Sequence, residues 1–282
     1  MDSRQINPLI KHFRRPAIYL RLPSQGNYWS SNSLDLPENG ELPVYPMTTA
    51  DEITLKTPDA LMNGAGIVSV IQSCCPNITN AWGMPSVDVD ATLIAIRIAS
   101  YGQKMDVNSR CPHCGEENDY EIELSGLLDQ VKCPDYSEPV IYDGLKIYLK
   151  PVTYDTVTLA NNTNFEETKV TNMLDDQSID PEVKNARLRE GMKRILELND
   201  QLLVRNTECI ETEDGVRVRD PEFIREFYQN AESGVVKAVQ TRIDQYARQA
   251  GLPPSRVACS ACSQPYQLPL EFDYSSFFGV GS

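Results

Sequence analysis

Cys111-Pro-His-Cys114 and Cys259-Ser-Ala-Cys262 are two Cys-x-x-Cys knuckles, each followed by turn residues and an alternating, strand-like run. A thiolate at either end of such a turn can reach one tetrahedral ion, so two knuckles make a four-sulfur site. The expected ligands are Cys111, Cys114, Cys259 and Cys262, and the expected ion is structural Zn2+, with iron as the alternative that four thiolates also hold. Between the knuckles lie 144 residues, far beyond the usual zinc-ribbon gap. A shared ion would therefore tie the middle of the chain to a distant segment, which is a fastening rather than a reaction centre.

The competing uses of these side chains are weaker. A redox Cys-x-x-Cys normally opens a helix, whose dipole lowers a thiol pKa, whereas strands follow here. Cys133, followed by Pro134, or His113, inside the first knuckle, could replace one ligand. Cys74, Cys75 and Cys209 read as buried small hydrophobes. Four sulfurs close the coordination sphere and leave no position for an activated water. His12 and His113 are the only histidines, too few for a His-based nucleophile triad or a multi-His site. There is no Walker loop, no dinucleotide-binding glycine fingerprint and no nucleophile elbow, and Gly64-Ala-Gly66 is too short to cradle phosphates. The acidic pair Asp88 and Asp90 has a simpler use at a helix start, where negative charge complements the dipole. No enzyme activity, catalytic residue or small-molecule substrate is expected.

The 282 residues carry 26 basic and 40 acidic side chains, a formal charge of −14, which disfavours approach to a nucleic-acid backbone. No apolar run reaches the roughly 18 residues of a membrane span, and Met1 leads into polar Asp2, Ser3 and Arg4. A cytoplasmic chain with reduced cysteines is expected. The basic cluster Lys11, Arg14 and Arg15 reads either as a solvated helix or as an arm docking on an acidic partner.

The elements that must position the knuckles follow from local pattern. Pro, Gly, Ser and Asn dominate from Arg15 to about Val44, around a short strand candidate at Ala17–Leu22. Helices start at Thr48, with a capping box, and at Thr57-Pro58; Gly64 and Gly66 break the latter, and a second segment runs to Cys75. Asp88–Tyr101 is a buried helix ended by Gly102, and its lone charge, Arg97, is either solvent-facing, locally paired or a partner contact. Asn118–Leu124 alternates as a strand. Asp143-Gly144 and Asp214-Gly215 close two hairpins that bracket a helical stretch, whose residues 161–182 are polar, acidic and suited to a mobile segment. Asp220-Pro221 opens another helix, and one more covers about Glu232 to Ala250.

The fold class is α+β: a helical N-terminal half, two β-hairpins with helices, and a zinc-ribbon-like four-Cys module assembled from distant segments. The divisions fall at 1–45, an extended arm; 46–110, helical; 111–135 with 256–282, the zinc-ribbon-like module; and 136–255, an α+β region enclosed between the knuckles.

Leu22-Pro-Ser-Gln-Gly26, Val44–Glu52, Thr57–Gly64, Ile71-Gln-Ser-Cys-Cys-Pro76, Ala95–Gly102 and the terminal Phe277-Phe-Gly279 form an ordered series of motifs. Together they resemble the baseplate hub assembly proteins of T-even-type contractile-tailed bacteriophages. The likeness runs from about Phe13 to Gly279 and is strongest over residues 20–115; residues 155–205 match little. It implies a tail protein that works by contacts with other baseplate proteins, without catalysis, in the host cytoplasm during assembly, and that either leaves or stays in the virion baseplate. The N-terminal arm and the aromatic end are the expected contact elements, although Tyr274, Phe277 and Phe278 could equally fold onto the chain's own core. The alternatives are a zinc-ribbon regulator binding nucleic acid or a host polymerase, and a metal-dependent hydrolase, which would need an open metal position.

Overall fold

The computed structural model describes residues 7–57, 64–174, 181–268 and 277–278. Near the N-terminus β1 (Ile18–Leu20) pairs antiparallel with β2 (Leu42–Val44), setting Leu20 opposite Leu42. A two-stranded ribbon tolerates Pro43, whose missing N–H is not needed at an edge. The extended stretch around this ribbon is packed rather than free, since Leu20, Leu22, Leu42 and Val44 are all buried. Arg14, expected on a solvated face or a partner, instead anchors the chain to its own helices. Its guanidinium donates to Pro46 O at 2.8 Å and Ser73 O at 2.7 Å and pairs with Asp51 at 3.5 Å.

The helix α1 (Thr49–Leu55) starts as its sequence dictates, with Thr48 and Asp51 satisfying each other's backbone amides in a capping box. The start at Thr57-Pro58 lies at the edge of the described residues, with Pro58 outside them. Gly64, at φ 75°, caps α2 (Ala65–Cys74), whereas Gly66 lies buried inside that helix and breaks nothing. Helix α3 (Ser86–Tyr101) is buried along most of its length and ends at Gly102, whose φ of 93° favours glycine. One hydrophobic cluster gathers around it and draws in β1, β2 and α2 as well as Leu268, Phe277 and Phe278. Those two rings are 3% and 6% exposed, so of the two readings open for them, partner contact or packing on the chain's own core, the second holds. Tyr274 lies outside the described residues. Arg97 follows them inward, donating to the Phe277 carbonyl with its guanidinium 5.4 Å from the ring centres of both Phe277 and Tyr101.

Next along the chain come the hairpin β3 (Lys104–Arg110) and β4 (Glu117–Glu123), then the short helix α4 (Leu124–Leu128). A second cluster, from Tyr136 to Tyr246, is built on an antiparallel sheet in the order β5-β6-β7-β8. Strands β5 (Val140–Tyr142) and β6 (Leu145–Leu149) turn at Asp143 and Gly144, whose φ angles of 46° and 76° give the tight two-residue hairpin expected. Strands β7 (Thr207–Glu211) and β8 (Arg217–Val218) are joined by a longer loop, closed by Thr212 and Val216, with Gly215 at φ 83°. The two hairpins are not separate, because Ile147 on β6 pairs with Ile210 on β7.

Two long helices, α5 (Tyr154–Leu174) and α6 (Pro181–Asn206), occupy the connection between β6 and β7 and pack on each other. Residues 161–174 are therefore helix, where composition suggested a mobile stretch; the partner helix supplies what an acidic sequence lacks alone. Helix α7 (Pro221–Asn230) opens with Asp220 accepting from the Glu222 amide, and α8 (Ser233–Ala250) lies against β5. The chain then forms β9 (Ser255–Ala258) and β10 (Pro265–Leu268).

Candidate metal centre

Each knuckle sits at the tip of a hairpin, and the two tips are built alike. In β3–β4 the Cys111 amide donates to Glu116 O and the Gly115 amide to Cys111 O; in β9–β10 the Cys259 amide donates to Gln264 O and the Ser263 amide to Cys259 O. The fifth residue of each tip carries a positive φ, 79° at Gly115 and 58° at Ser263. Strand β3 was not visible as an element beforehand, though Met105 and Val107 alternate with polar neighbours in the pattern of a half-buried strand.

The four expected cysteines meet. Sγ of Cys111 lies 3.8 Å from that of Cys262, and Sγ of Cys114 lies 3.6 Å from that of Cys259. All four sulfurs fall within 4.8 Å of one another. A tetrahedron with metal–sulfur bonds of about 2.3 Å has edges of about 3.8 Å, so the arrangement fits one ion. Cys133 is not in the group; its thiol faces Pro134 O at 3.5 Å. His113 is exposed, and it is its backbone amide that approaches Cys111 Sγ, at 3.4 Å. Cys74, Cys75 and Cys209 are buried elsewhere, where burial pushes the Cys74 thiol up to about 12.

The electrostatics of the group suit a cation. The Cys262 amide, aided by that of Ala261, holds the Cys259 thiol down to about 6 against the effect of burial. The Glu116 amide lowers Cys114 in the same way, but contacts with Cys262, Cys259 and Cys111, together with burial, outweigh it and leave that thiol raised to about 12. Crowded sulfurs cannot all ionise without positive charge among them.

Sequence reasoning missed the side chain that joins the two tips. Asn118, buried on β4, accepts from the Ser260 amide and hydroxyl while its Nδ2 donates to Glu116 O at 3.0 Å and reaches Cys259 Sγ at 3.6 Å. Tyr120 adds a second tie, donating to Ala258 O at 3.0 Å. The available signal was position: Asn118 falls just after the first knuckle and Ser260 within the second.

Fold and site define an α+β protein in which a four-sulfur centre draws distant segments together. Residues 30–279 match the family described as T4 bacteriophage base plate protein, and the chain belongs to that family. Neither the curated proteins nor the solved structures returned a match.

Proposed function

We propose that the chain is a structural, non-catalytic protein of the tail baseplate, placed at its central hub, and that Cys111, Cys114, Cys259 and Cys262 hold one structural zinc ion within it. The family match across residues 30–279 carries this reading. The sulfur geometry supports the metal assignment, because sulfurs within 4.8 Å suit a single ion and not a multi-iron cluster, which would hold its thiolates apart on different irons. Four thiolates leave no position for water activation, which supports a fastening role. Other baseplate proteins are the partners, met in the host cytoplasm during assembly and retained in the virion baseplate. Among the described residues no helix is long and apolar enough to cross a membrane.

Deletion of the gene, followed by electron microscopy of infected cells and protein analysis of purified tails, tests the setting. Missing or defective baseplates are the expected result, and normal particles would remove the reading. Elemental analysis with optical absorption on the purified chain tests the metal: one colourless zinc ion per chain is expected, and a visible charge-transfer band would assign iron.

A further inference from the structure

The four cysteines of the candidate centre differ in exposure. Cys111 and Cys259 are buried, Cys262 is partly exposed and Cys114 is exposed. Both thiol–thiol hydrogen bonds among the described residues run between the hairpins and not within a knuckle, from Cys114 to Cys259 at 3.6 Å and from Cys111 to Cys262 at 3.8 Å. Each therefore sets a more exposed sulfur against a buried one. A disulfide needs a closure of about 1.6–1.8 Å from these separations, which rotation about the Cα–Cβ bonds can supply.

The hairpins have ties of their own that hold these pairs side by side. Asn118 accepts from the Ser260 amide and hydroxyl, Tyr120 donates to Ala258 O, and the rings of Tyr120 and Tyr266 meet edge to face at 6.2 Å. None of these contacts uses a sulfur or an ion. When an ion leaves, the same sulfurs remain opposite one another. A chain carried from a reducing cytoplasm into a virion baseplate also moves to surroundings where disulfides form and persist.

We propose that the four cysteines are sites of redox modification, at which a hydroperoxide converts the four-sulfur centre into two disulfides, Cys114–Cys259 and Cys111–Cys262, that cross between the hairpins. The inference rests on the reading of these cysteines as a metal clasp and makes that clasp convertible to a covalent one. Cys114 Sγ, exposed and held as a thiolate by the ion, attacks one peroxide oxygen. An S–O bond forms, the O–O bond breaks, and the second oxygen leaves as hydroxide, which a proton turns to water. Cys259 Sγ then attacks the sulfenic sulfur of Cys114: the S–S bond forms, the S–O bond breaks, and the departing hydroxide again becomes water. The two sulfurs have lost the two electrons that the peroxide gained. An ion left with half its thiolates is released, and a second peroxide joins Cys111 to Cys262 in the same way. These bonds link positions 145 and 151 apart, as the ion did, so the hairpins stay fastened.

The test treats the purified full chain with hydrogen peroxide beside a metallochromic indicator, then maps disulfides by mass spectrometry after proteolysis without reduction. Zinc release together with the two cross-hairpin disulfides is the expected result. The denaturation midpoint of the oxidised chain should be unmoved by chelator and lowered by a reductant. Cys133→Ser, which removes the other partly exposed thiol, should leave the pattern unchanged. Cys114→Ser should slow the oxidation of the three remaining sulfurs, because the exposed one reacts first; if that variant fails to fold, the wild-type map decides. Disulfides within a knuckle, sulfinic acid at Cys114 without a cross-link, cross-links between two chains, or four intact thiols would each overturn the proposal. Zinc release without cross-links would sink this inference and leave the metal reading standing, whereas cross-links in a chain purified without metal would support it and sink the metal reading.

Discussion

Asn118 and Ser260, 142 positions apart, are joined by two hydrogen bonds of 2.8 and 2.7 Å from the serine's amide and hydroxyl to one carboxamide oxygen. The same carboxamide turns its N–H toward Cys259 Sγ, so it fixes both the docking of the hairpins and the orientation of a sulfur. Outer partners of this kind tune a metal centre through its ligands. Asn118→Asp keeps the acceptor but replaces the N–H donor with negative charge. The affinity of the proposed site for zinc should fall by about 10–100-fold, measured by competition with a chromophoric chelator. An unchanged affinity would mean that Asn118 only fastens the hairpins.

The proposed metal should stabilise the fold, because the unfolded chain cannot present four sulfurs at this spacing. Chelation of the wild-type chain should lower its denaturation midpoint, and at a free metal concentration about a thousand times Kd the linked stabilisation is about 4 kcal/mol. Cys111→Ser and Cys262→Ser should each lose the metal and become indifferent to chelator. Retention of one ion per chain in either variant would count against a shared site.

Asp88 predicts a pH dependence. Its carboxylate accepts from the Ser24 amide at 2.8 Å, the Ser24 hydroxyl at 2.5 Å and Trp29 Nε1 at 2.9 Å, yet burial still raises its pKa to about 6. A raised acid binds its proton more tightly in the folded state than in the unfolded one. Stability from this group is therefore greatest below the unfolded value near 4 and declines as pH rises to about 6, by about 2–3 kcal/mol. Denaturation across that range should show the decline, and Asp88→Asn should flatten it while lowering stability, since with its oxygen kept on the Ser24 amide its NH2 cannot accept from Trp29 Nε1.

Phe277→Ala and Phe278→Ala should each cost about 3–5 kcal/mol, the usual range for a buried ring. Phe223→Ala, at a ring 62% exposed on α7, should fall within about 0.5 kcal/mol of wild type. Equal small effects at all three positions would contradict the inward placement of the C-terminal rings.

Two glycines should respond in opposite directions to alanine. Gly215 sits at φ 83° with open space around it, so Gly215→Ala should cost about 1 kcal/mol through backbone strain alone. Gly126, in α4 with nothing near its missing Cβ and no positive φ, should gain about 0.5–1 kcal/mol as alanine. Thermal denaturation of the pair separates conformation from packing.

Much of this architecture was legible where the signal is local. Caps at Thr48 and Asp220, the turns at Asp143-Gly144 and Asp214-Gly215, and the buried run of α3 state their structures within a few residues. The knuckles were legible too, because tetrahedral sulfur chemistry demands a fixed pair spacing. What stayed hidden depends on contacts between distant segments. Arg14, Arg97 and Asp88 read as surface or helix-end charges, and only the folded chain shows Arg14 paired with Asp51, Arg97 donating to the Phe277 carbonyl and Asp88 accepting from Ser24. The pairing of β6 with β7 escaped for the same reason, with two long helices standing between the strands.

The separation of 145 positions from Cys114 to Cys259 also has a meaning in time. At roughly 5–20 residues per second of synthesis, the second knuckle leaves the ribosome about 7–30 s after the first. Until then the first hairpin holds two of the four clustered cysteines, and Leu268, Phe277 and Phe278 have yet to reach the core they fill. Closing the centre is thus a late event that a prematurely terminated chain cannot perform. Until both knuckles are present the chain cannot reach its final shape, so completing the fold waits on completing synthesis.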